Sequence, residues 1–159
     1  MHYWLMKSEP DVFSIDDLKQ RPGGIEPWEG VRNYQARNML RDDIKMGDLA
    51  FFYHSSCALT AIVGIVEIVS GGYPDPTAFC QGHRYYDPKS RQENPTWYLI
   101  DVKFKRKLNK CINLDELRTQ KPLQNMKLLQ RGNRLSVMPV TKKEWDYILE
   151  LEKKINDAS

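Results

Sequence analysis

Polar side chains follow the opening predicted strand at a position where they could bind a planar, hydrogen-bonding ligand. Lys7, Ser8 and Glu9 end this strand, just before Pro10. A lysine can contact a phosphate, whereas serine and glutamate can hydrogen-bond the edge of a nucleic-acid base. Taken alone, this group is better interpreted as a solvated turn between a strand and a helix.

A second group, within residues 28–37, combines two aromatic rings, two amides and two guanidinium groups. Aromatic faces stack on bases, amides pair with base edges, and guanidinium groups suit phosphates. The alternative is a buried tryptophan beside an ordinary capped helix, and the sequence leaves both open. The residues are Trp28, Arg32, Asn33, Tyr34, Gln35 and Arg37.

Two smaller groups add candidates at other element ends. Tyr53, His54 and Ser55 leave a hydrophobic strand, and the tyrosine could form the wall of a cage. A core tyrosine whose hydroxyl reaches water is the common alternative. Arg134 and Ser136 follow a predicted short helix and could point into a site, or could belong to a solvated strand.

The segment 71–96 is predicted to be a long loop rich in proline, glycine and tyrosine. A structureless loop of this length is unusual in a compact domain unless it functions. For Tyr73, Tyr85 and Tyr86 a proline-stiffened loop is the better interpretation. No role is predicted for residues 80–84.

Signatures of metal, cofactor or catalytic sites are missing from the sequence. Its three cysteines are far apart and form no Cys-x-x-Cys pair, so we expect neither a metal nor a cofactor. Glycine-rich nucleotide loops and hydrolase motifs are also missing. An enzyme acting on a nucleotide could take acid–base groups from Glu9, His54, Asp75 and Asp87, but no nucleophile–base pair has a diagnostic spacing.

Composition is that of an ordinary globular protein, with 41% hydrophobic and 28% charged residues. We expect one domain over residues 1–159, with the last few residues frayed. The net charge of +3 permits an anionic partner, and the basic run 103–110 could follow a phosphate backbone or be the wet face of a strand. Without a long apolar run or signal peptide, we expect an intracellular protein that is not bound to a membrane.

Hydrophobic periodicity and capping residues predict a mixed, strand-centred domain of the α+β class. Strands are predicted at 2–7, 48–54, 60–69 and 97–107. Helices are predicted after Ser14, from Asn33 to about Asp43, from Asn113 to about Thr119, near 126–130, and after Thr141. The regular strand–helix alternation of a doubly wound sheet is missing.

Several long segments in one order resemble the EVE domain family of the PUA-like superfamily, over about residues 2–150. They are YWLMKSEP (3–10), GVRNYQARN (30–38), FFYHS (51–55), YDPKS (86–90), RLSVMPV (134–140) and YPDPT (73–77). The resemblance implies a PUA-like β-pseudobarrel of mixed strands flanked by helices. It also implies kinship with YTH domains, which read methylated adenine, through a similar pattern of Lys7, Ser8, Trp28 and Asn33.

The leading hypothesis is therefore a module that binds nucleic acid and holds one modified base, such as a modified cytosine in DNA or a methylated base in RNA. Trp28, Tyr34 and Tyr53 would form the walls of the pocket. Its polar groups would be Lys7, Ser8, Glu9, Asn33, Gln35, His54, Ser55 and Ser136, with Arg32, Arg37 and Arg134 on phosphates. Such a module would be a monomer, cytoplasmic if bacterial and nuclear if eukaryotic. The alternatives are the enzyme above and a protein-interaction domain that uses its exposed aromatic residues.

Overall fold

A curled, mixed six-stranded half barrel forms the centre of the computed structural model, which describes residues 1–157. The strands are β1 (Tyr3–Ser8), β2 (Ile25–Pro27), β3 (Leu49–His54), β4 (Ala61–Ile68), β5 (Tyr73–Pro74), β6 (Tyr98–Leu99), β7 (Asp101–Asn113) and β8 (Val137–Val140). The order across the large sheet is β2-β7-β4-β3-β1-β8, and β5 pairs with β6 separately. Because β2 and β8 do not pair with each other, the sheet is a pseudobarrel with two edges.

β1 lies parallel to β3, and the other neighbours in the sheet are antiparallel. Residues 9–48 form a long connection between β1 and β3, because parallel strands cannot be joined by a tight hairpin. That connection contains α1 (Ile15–Gln20), β2 and α2 (Tyr34–Asn38). It therefore brings residues 28–32 and the end of β1 to the same end of the sheet.

The helices are α1 (Ile15–Gln20), α2 (Tyr34–Asn38), α3 (Leu114–Arg118) and α4 (Lys142–Asp157). The predicted N-caps are confirmed: Ser14 forms a capping box with Asp17, and Asn33 and Asn113 accept from the backbone three residues on. The predicted helix to Asp43 continues beyond α2 as one π-helical turn, and the predicted helix near 126–130 is a single 3₁₀ turn. The frayed end predicted for the chain falls partly on Ala158 and Ser159, which lie outside the described residues.

Alternation along the strands divides the core between the two faces of the sheet, since successive side chains of a strand point to opposite faces. Trp4 and Met6 of β1 join one buried cluster together with Phe52 of β3. Leu5 and Phe51 join the other, where the Trp145 ring of α4 stacks 3.9 Å from Phe51. A residue's position in the alternation thus decides which cluster it can reach.

The predicted strand 97–107 is divided in the structure into the short β6 and the long β7, which reaches Asn113. β7 continues through the basic run because Leu108 and Ile112 remain buried and β4 pairs with it to its end. Sequence reasoning missed β2 and β5, which have three and two residues, too few to display a period.

The basic run is partly neutralised on the sheet surface. Its ion pairs are Lys105 with Glu67 at 3.3 Å, Arg106 with Glu152 at 3.0 Å, and Lys107 with Asp16 at 2.9 Å. This pattern favours the wet face of a strand over a phosphate track.

Gly64 of β4 allows α1 to pack on the sheet. A methyl group at this position would lie 2.9 Å from the Arg106 carbonyl oxygen and 2.9 Å from Ile15 Cδ1. We expect Gly64→Ala to lower the free energy of unfolding by about 1–3 kcal/mol, because the Arg106 backbone cannot move away from the added methyl group. The measurement is the urea midpoint at unchanged m-value.

The matched control is Gly71→Ala, where nothing lies within 4 Å of the added carbon. Its midpoint should stay the same or rise, because alanine reduces the entropy of the unfolded chain. Equal losses in both variants would contradict the packing explanation.

Candidate functional site

A cavity of about 500 Å³ opens beside the end of β1. Among the residues predicted for a base or phosphate site, those that line it are Lys7, Ser8, Glu9, Trp28, Arg32 and Ser136. Lining residues that sequence reasoning did not select include Val12, Phe13, Arg21, Glu29, Arg84 and Tyr85. The cavity therefore combines aromatic and aliphatic walls with both signs of charge.

The indole of Trp28 is fixed in a wall of the cavity by the core behind it. Its ring meets Phe52 edge-on at 5.5 Å and Phe13 edge-on at 6.4 Å, and only 8% of the residue is exposed. Its backbone N–H donates to the Ile100 carbonyl at 2.7 Å. This packing predicts that Trp28→Ala lowers the free energy of unfolding by about 3–5 kcal/mol.

Backbone pairing fixes the polar edge at the end of β1. The Lys7 N–H donates to the Ser136 carbonyl at 2.8 Å, and the Ser8 hydroxyl donates to the Phe13 carbonyl at 2.5 Å. Burial lowers the pKa of the half-buried Lys7 ammonium. Within residues 1–154 no acid pairs with this ammonium, so it can donate to a ligand.

Arg32 and Asp75 join two loops of the site. The Arg32 guanidinium donates to the Asp75 carboxylate at 3.1 Å, to the Val31 carbonyl at 3.0 Å and to the Tyr85 carbonyl at 2.7 Å. With its donors committed in this way, Arg32 serves as a structural clamp and has little capacity left for the phosphate contact predicted for it.

Asp75 is fully buried and accepts from several donors besides Arg32. The Gly30 N–H donates at 3.0 Å, and Thr77 donates through its N–H at 2.9 Å and its hydroxyl at 2.6 Å. Burial alone would raise the pKa of the Asp75 carboxyl, but these bonds and Arg32 outweigh it and hold the pKa below its usual value. The Asp75 carboxylate is therefore a charged structural group that holds these donors in place.

The Tyr85 ring lies directly on the backbone of Gly30. A Cβ at Gly30 would be 2.3 Å from the ring, and the φ of this residue is +83°, so only glycine suits the position. The guanidinium groups of Arg32 and Arg84 lie 5.5 Å and 5.3 Å from the ring centre. Sequence reasoning took Tyr85 for a loop residue, since its partner Gly30 is 55 positions away.

Asn33 and Gln35 do not line the cavity. The Asn33 side-chain oxygen accepts from the Ala36 N–H at 3.0 Å as the N-cap of α2, which occupies the group that was predicted to read a base. Gln35 is exposed on the same helix. Asn33 and Gln35 follow Arg32 by one and three residues, and Arg32 is the last residue of this segment that lines the cavity.

Tyr34 and Arg37 form a neighbouring planar stack. The Tyr34 ring is 61% exposed and lies 5.0 Å from the buried Trp97 ring. The Arg37 guanidinium lies 5.2 Å from Tyr34 and donates to the Thr96 carbonyl at 2.7 Å. These residues flank the site without entering the cavity.

The other predicted residues lie elsewhere. Tyr53 belongs to the core cluster on the opposite face of the sheet from Trp28. His54 Nε2 accepts from the Ile15 N–H at 3.1 Å, and the Ser55 N–H donates to the Ser8 carbonyl at 3.0 Å. Arg134 is exposed, two residues before Ser136.

Most of the acids and bases considered for catalysis have structural partners. Asp75 belongs to the clamp, His54 accepts from the start of α1, and Asp87 accepts from the Trp97 indole N–H at 2.6 Å. Glu9 lines the cavity and is exposed. In the part of the chain that the structure describes, no three His, Cys, Asp or Glu side chains converge as metal ligands, and no helix is long and apolar enough to cross a membrane.

Fold and cavity together define an α+β protein of the PUA-like pseudobarrel type. The EVE domain model matches residues 2–151, and the chain belongs to the EVE domain family. Within it, chicken thymocyte nuclear protein 1 is 48% identical over 94% of this chain and 68% of the relative. The predicted resemblance to this family is confirmed, and the relatives it matches are of the thymocyte nuclear protein type.

Two solved structures are closely similar. Human THYN1 in complex with 5-methylcytosine-containing DNA superposes with a TM-score of 0.90 at 46% identity, covering 96% of this chain and 98% of that one. A protein from Pseudomonas putida gives 0.90 at 45% identity, covering 94% and 99%.

Removing Arg32 should test the clamp. We expect Arg32→Ala to lower the free energy of unfolding by about 3–5 kcal/mol, because it leaves the buried Asp75 carboxylate uncompensated. Urea unfolding measures the loss, and proteolysis within residues 77–86 should accelerate.

The matched control is Arg84→Ala, which removes an exposed guanidinium from the same tyrosine ring. Its stability should change by less than about 0.5 kcal/mol. A similarly small change for Arg32→Ala would show that the clamp does not hold the loops.

His54 should make stability depend on pH. Burial lowers its folded-state pKa below the usual 6.5, so the unfolded chain binds the proton first as pH falls. We expect stability to be complete above about pH 6.5 and to fall between there and the lowered pKa. Urea midpoints between pH 7 and 5 should decline less steeply in His54→Gln, whereas His2→Gln, an exposed control, should keep the wild-type slope.

Proposed function

We propose that the protein binds DNA and holds one modified base, with 5-methylcytosine as the leading candidate, in the cavity beside β1. The observation that carries the proposal is the cavity itself: a fixed indole wall with hydroxyl groups and an ammonium, unpaired among residues 1–154, at its edge. Its volume of about 500 Å³ is in the range of small-ligand sites and can admit one base. The human relative named above was solved with 5-methylcytosine-containing DNA.

A concave site of this kind requires the base to leave the duplex stack. Unstacking costs a few kcal/mol, and aromatic contact returns about 1–3 kcal/mol per base. Trp28 provides a rigid wall because its other contacts are already made in the core. Lys7, Ser8 and Ser136 then supply hydrogen-bonding groups at its edge.

Apolar side chains in the lining offer a place for the methyl group. Val12, Phe13 and Val31 all contribute to the cavity surface. Burying one methyl group contributes about 0.8 kcal/mol, so methylation alone should change affinity by a small factor. Stronger discrimination needs polar contacts to the ring edge.

We assign the phosphate contacts to exposed guanidinium groups. Arg84 lines the cavity and is exposed, and Arg134 is exposed close to Ser136 in sequence. Arg32 is committed to Asp75 and Arg37 to the Thr96 carbonyl, so both act mainly in positioning.

The proposal is a monomeric binding module, not an enzyme, that acts where nucleic acid occurs, which is the nucleus in a eukaryotic cell. Of the four acids and bases that the sequence suggested for catalysis, Glu9 is the one that lines the cavity. Turnover of a modified nucleotide by the pure protein would replace the binding proposal with the enzymatic one.

Replacing Lys7 should test the site without emptying the core. We expect Lys7→Met to weaken binding of a duplex containing one 5-methylcytosine by about tenfold or more, because a charged hydrogen bond contributes about 1.5–3 kcal/mol. Fluorescence anisotropy on 5-methylcytosine and cytosine duplexes measures the effect.

Lys110→Met removes an equal charge from the exposed β7 surface and is the control. If Lys7 met a phosphate instead of the base, the salt slope would fall by about 0.7–0.9, whereas loss of a base contact should leave the slope unchanged. Unchanged binding by Lys7→Met would contradict the pocket assignment.

A further inference from the structure

The cavity carries acids as well as cations. Glu9, Glu26 and Glu29 all contribute to its lining. Glu26 is neutralised by Arg21 at 2.8 Å. Glu29 has no such partner among residues 1–154, so its carboxylate is available to a ligand. Glu9 lies on a turn, in which its own backbone carbonyl accepts hydrogen bonds from the Val12 and Phe13 N–H groups.

Along the chain, Glu29 lies between the residues that form or contact the two aromatic parts of the site. It follows Trp28, which forms the wall, and precedes Gly30, on which the Tyr85 ring lies. Glu29 is exposed at the cavity surface, where an entering ligand can reach its carboxylate. Some desolvation, and then the nearby Asp75 carboxylate, raise the pKa of Glu29.

The methyl group cannot distinguish 5-methylcytosine from thymine, because both pyrimidines carry it at C5. The two bases differ at the 4-position, where cytosine presents an amino donor and thymine a carbonyl acceptor. A carboxylate accepts from the cytosine amino group and repels the thymine oxygen. An ammonium such as that of Lys7 can donate to the acceptors that cytosine presents beside its amino group.

We propose that Glu29 is the residue that selects cytosine-type bases over thymine, by accepting a hydrogen bond from the exocyclic amino group of the base in the cavity. This inference rests on the proposed function and adds to it the basis of pyrimidine selection. The wall and the methyl-contacting side chains hold either pyrimidine, and Glu29 decides between them.

The experiment compares two DNA duplexes that differ at one base, 5-methylcytosine or thymine, each opposite an abasic site. The abasic partner removes the difference in pairing energy, so the ratio of dissociation constants reports the contacts in the cavity. At pH 8 we expect the wild-type protein to prefer 5-methylcytosine at least tenfold. In Glu29→Gln the ratio should fall toward one, because an amide can accept from the amino group or donate to the thymine oxygen.

Glu93→Gln removes the same charge from an exposed loop position outside the cavity and should retain the wild-type ratio. An unchanged ratio in Glu29→Gln, at any overall affinity, overturns the assignment. So does a collapse of the ratio in Glu9→Gln alone, or a wild-type protein that binds both duplexes equally. Failure of the wild-type protein to bind either duplex would instead remove the proposed function itself.

Discussion

The buried pair of Arg32 and Asp75 is the interaction on which the site depends. One carboxylate accepts from Gly30, Thr77 and Arg32, and the same guanidinium donates to the Tyr85 carbonyl. The Asp75 carboxylate is fully buried and Arg32 is partly buried, so removing the guanidinium leaves a buried charge without its counter-ion. The pair therefore fixes two loops that are distant in sequence against one wall.

The sheet supplies the second constraint. Parallel pairing of β1 with β3 sends the intervening chain across one face and returns residues 28–32 to the end of β1. Side-chain alternation then separates Phe52, which supports Trp28, from its neighbour Tyr53, which packs on the other face. The cavity is thus a property of one face and one end of the sheet.

Charge is distributed according to burial. On β7 the Lys105 and Lys107 side chains meet acids across exposed surface, where such pairs contribute little to stability and are screened by salt. In the cavity, neither Lys7 nor Glu29 forms an ion pair with any of residues 1–154, and the pKa values of both shift toward the neutral forms. Charges that these residues leave unpaired are groups that a ligand can satisfy.

Local features of this protein were determined by the sequence: strand periods in β1, β3 and β4, the Ser14 and Asn113 caps, and the order of segments that indicates the EVE family. These depend on residues a few positions apart, which is the range over which periodicity and capping act. Only the tertiary structure decided that Asn33 caps instead of facing the cavity, that Tyr53 lies on the wrong face, and that Tyr85 covers Gly30. Such choices depend on contacts between residues tens of positions apart, for which a single sequence carries no periodic signal.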